Sequence, residues 1–115
     1  MGRKNIAIPT NNEQTLAERT GRAKGFLIYE IEDKTARRLE FRINPHKHDD
    51  EENEHEEHTH EDVMEVLKDC TYILVNKVGK HFVQDLKRAQ IKIYKAKENN
   101  IEKAVNEFLT KVELT

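Results

Sequence analysis

The chain has 115 residues, enough for one compact domain, and its 20 basic and 22 acidic side chains leave a net charge of -2. Its single cysteine, Cys70, excludes an internal disulfide framework and a site built from several cysteines of one chain. The sequence has no signal peptide, no apolar run long enough to cross a membrane and no basic block interleaved with aromatic residues. We therefore expect a cytoplasmic protein that binds neither membranes nor nucleic acid.

The first half of the sequence predicts three strands. Residues 5–9 form a short apolar run that ends at a proline, which is typical of a strand buried on both faces. A polar connection follows, with Gly21 and Gly25 as its turn points, and residues 26–32 are rich in the β-branched and aromatic side chains of a strand. A tight turn then leads into a third strand at residues 38–44.

The third strand alternates strictly between apolar and charged side chains, which predicts one face on the core and one face in solvent. The side chains expected to face the core are Leu39, Phe41 and Ile43. Those expected to face solvent are Arg38, Glu40 and Arg42. The strand would form a hairpin with its predecessor and could lie at an edge of the sheet, available for pairing in a homodimer, although its charges oppose open pairing.

The second half predicts helices that alternate with strands. A capping-box pattern at residues 59–62 starts one helix, and a buried strand follows at residues 72–76. Apolar side chains at helical spacing predict helices over residues 82–89 and 101–112, with a strand at 91–94 between them. The order β-β-β-α-β-α-β-α indicates one α/β domain with a mixed five-stranded sheet and helices on its faces.

Residues 45–61 form a loop rich in histidine and carboxylate side chains. From residue 46 to residue 62, one lysine stands against nine carboxylates, a net charge of -8, so the rest of the chain carries +6. Five of the six histidines lie in this loop: His46, His48, His55, His58 and His60. Neutral imidazole binds nickel, zinc, copper and iron, which makes these histidines a candidate metal site. The same composition is also typical of adventitious metal binding and of a solvated acidic tract.

Two further regions are candidates for binding an anionic group. The first follows the carboxyl end of the first strand, where ligands tend to bind in open α/β sheets. It comprises Arg19, Thr20, Gly21 and Arg22. The second, residues 77–80, precedes a helix whose N-terminus could hold an anion. Either region could equally be ordinary charged surface, while His81 is expected to lie in solvent and Cys70 to be a buried small residue.

Seven segments occur in an order that is itself informative. They are Ile6-Ala-Ile-Pro-Thr10, Glu18-Arg-Thr-Gly-Arg-Ala23, Phe26-Leu-Ile-Tyr-Glu30, Tyr72-Ile-Leu-Val75, Val78-Gly79, Ile91-Lys-Ile-Tyr94 and the closing helix over 101–109. This ordered set resembles the dinitrogenase iron-molybdenum cofactor biosynthesis family over nearly the whole chain. The resemblance implies a ribonuclease-H-like fold and a protein that binds an iron-molybdenum or iron-sulfur cofactor.

The sequence departs from this family directly before Gly21. The family commonly has a His-Phe pair there, whose histidine is a candidate cofactor ligand, whereas this chain has Arg19 and Thr20. Arginine stays protonated and cannot ligate a metal, but it can pair bidentately with an anionic cluster or its organic acid. The resemblance therefore assigns cofactor binding to residues 19–22, with charge pairing in place of ligation.

These observations favour a non-enzymatic protein that binds a transition metal ion or an iron-(molybdenum)-sulfur cluster and acts as a carrier or assembly helper. It would exchange its cargo with cluster donor and acceptor proteins, as a monomer or a homodimer. The alternative is a protein-interaction or regulatory module with a solvated His-rich loop. An enzyme is disfavoured, because no Ser/His/Asp or Cys/His set is evident and the first strand lacks the carboxylates of two-metal nucleases.

Elemental analysis of anaerobically purified protein separates the candidate sites. Near-stoichiometric iron, molybdenum, nickel or zinc that is lost from a variant lacking residues 46–60 would make the loop the site, because the deletion removes five imidazoles. Metal retained by the deletion variant would instead place the site at residues 19–22. Absence of metal from both proteins after reconstitution would favour the interaction module.

Overall fold

The computed structural model describes residues 3–45 and 61–111. Within these two ranges the chain forms five strands, one 3-10 turn and three α-helices. In chain order they are β1 Lys4–Thr10, the 3-10 turn Thr20–Arg22, β2 Gly25–Glu32, β3 Thr35–Ile43, α1 Glu61–Val66, β4 Tyr72–Val75, α2 Lys80–Arg88, β5 Lys92–Lys95 and α3 Ile101–Lys111. The α/β class and the order of strands and helices are confirmed. No helix within these ranges is long and apolar enough to span a membrane.

The five strands form one mixed sheet in the order β3-β2-β1-β4-β5. The central strand, β1, pairs antiparallel with β2 on one side and parallel with β4 on the other. The β2–β3 pair is antiparallel and the β4–β5 pair is parallel. The sheet is therefore mixed, as the sequence predicts for an initial hairpin followed by strand-helix alternation.

Helices cover both faces of the sheet. Helix α3 packs on one face, where Ile6 and Ile8 of β1 lie, and its Phe108 makes edge-to-face contacts with Tyr72 and Tyr94 at centroid distances of 5.2 and 5.1 Å. Helices α1 and α2 pack on the other face, where Ala7 of β1 lies. Consecutive residues of β1 thus enter opposite cores, which confirms the prediction of a strand buried on both faces.

The predicted faces of β3 are partly wrong. Leu39 and Ile43 are exposed, at 40% and 73% of their surface, and only Phe41 of the predicted trio packs against a core. The register shifts at Tyr29 of β2, so that Leu39 occupies a β-bulge without a cross-strand partner. Because a bulge adds one residue, the alternation reverses beyond it, and both Arg38 and Phe41 lie on the face that α3 covers.

The prediction that Arg42 faces solvent is also wrong, because its side chain is half-buried. Its Nη1 donates to the carbonyl oxygen of Val66 and to Oδ1 of Asp69, both at 2.7 Å, and its Nη2 donates to Asp69 Oδ2 at 3.0 Å. These hydrogen bonds hold the pKa of Asp69 below its usual range. The bidentate pair fastens the edge strand β3 to the turn between α1 and β4.

Gly25 is the first residue of β2 rather than a turn residue, which corrects the sequence prediction. A Cβ atom at this position would overlap the backbone carbonyl oxygen of Arg42 and the ring of Phe41. The glycine is therefore required by the close approach of β3, and not by an unusual backbone conformation.

We expect Gly25→Ala to lower the free energy of unfolding by roughly 1–3 kcal/mol, because β3 must shift to admit the methyl group. Gly79→Ala is the matched control, since its Cβ would meet no atom within 4 Å. Its effect at the N-cap of α2 should stay below about 1 kcal/mol. Urea denaturation of both variants measures the difference, and equal losses would contradict the steric account.

Candidate functional site

An open cavity of about 410 Å³ lies where β1 and β4 end. Because these two strands are parallel, their carboxyl ends meet at one edge of the sheet. The connection from β1 to β2 leaves this edge and contributes residues 19–22 to one wall. The connection from β4 into α2 contributes residues 77–82 to the other wall. The two regions that the sequence offered as separate anion sites thus line one cavity.

Thr20 joins the two walls. Its backbone N–H and its hydroxyl both donate to the carbonyl oxygen of Lys77, at 3.0 and 2.8 Å, and the residue is fully buried. Arg19 pairs with Lys77 in an isolated parallel β-bridge. The structure therefore assigns the Thr20 hydroxyl to holding the walls together, and leaves the charged neighbours Arg19 and Arg22 at the surface of the cavity.

Asn44 supports the first wall from the end of β3, and the sequence analysis did not single it out. Its Nδ2 donates to the carbonyl oxygen of Ala23 at 2.9 Å, and its backbone N–H donates to that of Lys24 at 2.9 Å. These contacts link positions about twenty residues apart, so they could not be found from local sequence. Asn44 also stands directly before residue 45, where the His-rich loop begins in the sequence.

Four of the residues that line the cavity are cationic. Its charged side chains are Arg19, Arg22, Lys77 and Lys80, all of them exposed, and neither wall segment contains a carboxylate. Helix α2 points its N-terminus at the cavity with Gly79 as N-cap, no side-chain cap and no acidic residue in the first turn. The positive end of the helix dipole adds to the charge of the side chains, so the site favours an anion.

His81 lies in the first turn of α2 and lines the same cavity. The sequence placed it in solvent, and it is indeed exposed. Within residues 3–45 and 61–111, its side chain makes no hydrogen bond or ion pair with another residue. Its imidazole is therefore available to a ligand in the cavity.

Cys70 is buried on the sheet face that α1 and α2 cover, as predicted, and does not line the cavity. Burial raises the pKa of its thiol to about 12, so the thiolate needed for nucleophilic attack or metal binding is scarce near neutral pH. In the part of the chain that the structure describes, no group of three or more His, Cys, Asp and Glu side chains could hold a metal ion.

The histidines predicted as metal ligands in the His-rich loop lie within residues 46–60, which are outside the described residues. They are His46, His48, His55, His58 and His60. Their assignment stays a prediction from composition.

Residues 3–111 match the family model described as dinitrogenase iron-molybdenum cofactor, and the chain belongs to this family. No curated protein sequence matches it. The family membership confirms the resemblance that the ordered sequence segments indicate.

Solved structures share the fold of this chain at low sequence identity. The crystal structure of PH0822 superposes with a TM-score of 0.72 at 17% identity, over 92% of this chain and 88% of that one. The apo form of the orange protein from Desulfovibrio gigas gives 0.70 at 23% identity, over 97% and 92% of the two chains. TM1290 from Thermotoga, described as a candidate NifB protein, gives 0.66 at 24% identity, over 94% and 89%.

We expect Thr20→Val to lower the free energy of unfolding by about 1 kcal/mol, because it removes a buried hydroxyl-to-carbonyl hydrogen bond between the walls. Thr110→Val is the matched control, since its hydroxyl bonds the carbonyl oxygen of Glu107 at an exposed position. Chemical denaturation should find a smaller loss there. Hydrogen exchange should rise at residues 19–22 and 77–80 in the Thr20 variant alone, and unchanged exchange would contradict its role as a link.

Proposed function

We propose that this chain is a non-enzymatic carrier or assembly helper that binds an anionic metal-sulfur cluster in the cavity between residues 19–22 and 77–82. The observation that carries the proposal is that four cationic residues line one open cavity, and that its described wall segments, 19–22 and 77–82, contain no carboxylate. A hydrated metal cation would be repelled by these side chains, whereas a polyanionic cluster would be attracted.

The chemistry of the walls suits a large anion. Two guanidinium groups, on Arg19 and Arg22, can each donate a pair of parallel hydrogen bonds, and the ammonium groups of Lys77 and Lys80 act as point charges opposite them. Gly21 and Gly79 keep side-chain bulk away from the cavity. A volume of about 410 Å³ is in the range of small-molecule and cofactor sites.

Family membership supports an iron-molybdenum or iron-sulfur species as the cargo, because the family is described by the iron-molybdenum cofactor. The mixed sheet with its order β3-β2-β1-β4-β5 supports the ribonuclease-H-like assignment of the fold. A carrier would exchange this cargo with donor and acceptor proteins in the cytoplasm. The exposure of all four cations favours such exchange, since a partner can reach a cluster bound at the surface.

One observation favours the alternative of a protein-interaction module. Leu39 and Ile43 expose 40% and 73% of their surface on β3, which is an edge strand of the described sheet. Such residues could contact a partner protein or a second copy of the chain. The two functions are compatible, because a carrier needs a surface for its donor and acceptor.

Binding of tetrathiomolybdate, a small anionic molybdenum sulfide, tests the proposed cavity. We expect Arg19→Gln combined with Arg22→Gln to weaken binding at least about tenfold, because charge-assisted hydrogen bonds contribute roughly 1.5–3 kcal/mol each. Equilibrium dialysis with optical detection measures the affinity. Affinity should also fall steadily with added salt, since the cations are exposed.

The matched control removes two exposed arginines elsewhere, Arg37→Gln with Arg88→Gln, which pair with the half-buried carboxylates of Glu30 and Asp85. This double variant has the same net charge as the test variant and should bind within about twofold of the unaltered protein. Equal weakening in both would show that overall charge, and not the cavity, attracts the anion. Full binding by the test variant would exclude residues 19–22 as the site.

A further inference from the structure

We infer that His81 supplies the single coordinate bond from the cavity to the cargo, and that the cargo arrives as a preassembled cluster with one exchangeable metal position. This inference rests on the proposed function and adds to it the mode of attachment. It follows from the donor atoms that the two walls offer.

Among the described residues that line the cavity, only one side chain offers a strong lone-pair donor for a metal. The guanidinium and ammonium groups stay protonated, and the remaining wall residues are glycine, valine, phenylalanine and Thr20. The Thr20 hydroxyl already donates to the carbonyl oxygen of Lys77, and a neutral hydroxyl is a poor ligand for iron or molybdenum. The imidazole of His81 is a good ligand for iron, lines the cavity and has no partner among the described residues.

A single imidazole determines what class of cargo can bind. Transition metal ions take four to six ligands, and residues 3–45 and 61–111 offer no cluster of three or more ligating side chains. The cavity therefore cannot assemble a coordination sphere around a hydrated ion from its own side chains. A cluster that already carries sulfide and terminal ligands needs only one bond from the protein, together with cations to balance its charge.

The binding step is a ligand exchange without electron transfer. One nitrogen of His81 donates its lone pair to a metal at the exposed corner of the cluster, and one terminal thiolate leaves to solvent, where it takes up a proton. The four cations hold the remaining anionic surface by charge. Removing His81 should thus loosen attachment and abolish nitrogen coordination, while the charge-based attraction of the cavity persists.

The test uses the full chain and a synthetic [4Fe-4S] dianion with four 2-mercaptoethanol thiolates, reduced by dithionite to its paramagnetic form. Pulsed electron paramagnetic resonance detects hyperfine coupling to a directly bound nitrogen. We expect this coupling in the unaltered protein and its loss in His81→Gln, whose affinity for the cluster should fall roughly tenfold for one lost ligand bond. Tetrathiomolybdate affinity, which depends on the cations, should fall less than the affinity for the cluster.

The control variant replaces His46, His48, His55, His58 and His60 with glutamine and keeps His81. It should retain the nitrogen coupling. Coupling that survives in His81→Gln, or that disappears in the control, would assign the ligand elsewhere and overturn the inference. So would a bound cluster without nitrogen coupling, or a chain that binds tetrathiomolybdate but not the [4Fe-4S] cluster. Failure of arginine-dependent tetrathiomolybdate binding would instead remove the proposed function itself.

Discussion

The pairing of β1 with two neighbours of opposite direction is the constraint on which the candidate site depends. Because β1 is antiparallel to β2 but parallel to β4, the chain leaves β1 and β4 at the same edge of the sheet and continues along two separate connections. Such divergence opens a crevice at the carboxyl ends of strands, which is the usual place for ligands in open α/β sheets. Burial of β1 in both cores fixes its register, and the double hydrogen bond from Thr20 to Lys77 sets the spacing of the walls.

The chain separates its charges into two regions of opposite chemistry. The acidic loop carries -8 between residues 46 and 62, while four of the cations that balance it line one cavity. A loop of imidazoles and carboxylates suits free metal cations, whereas the cavity suits an anion with its own ligands. These preferences are complementary rather than redundant, so metal bound by the loop would not by itself argue against a cluster bound in the cavity. Asn44 is adjacent to both regions in the chain and in the fold, since it donates a hydrogen bond to the carbonyl oxygen of Ala23 and directly precedes the loop in sequence.

Local sequence patterns predicted the positions of the strands and helices, which depend mainly on nearby residues. Apolar runs and helical spacing identified the five strands and three helices of the described residues, because each must bury a continuous stripe or face. The faces of β3 were wrong because a bulge opposite Tyr29 inserts one residue, and nothing in an alternating sequence marks a bulge. The burial of Arg42 and the need for Gly25 arise from partners brought close only by the folded sheet. Both cationic segments, residues 19–22 and 77–80, were identified from the sequence. That they line one cavity depends on the short pairing of β1 with β4, which has no sequence pattern of its own.

For the proposed cluster, the exposure of the site suits transfer better than storage. Exposed cations are screened by salt and solvent, so each holds an anion less firmly than a buried cation would. The imidazole of His81, in the first turn of α2, would add one directional coordinate bond to this charge attraction and would leave the rest of the cargo exposed. The cluster would then be oriented, with its outer face available to another protein, and replacing one nitrogen ligand would suffice to release it. The only described cysteine cannot compete for the cluster, because burial keeps it protonated and away from the cavity. A protein built to retain its cluster would be expected to place several thiolate ligands around it, and the cavity walls place none.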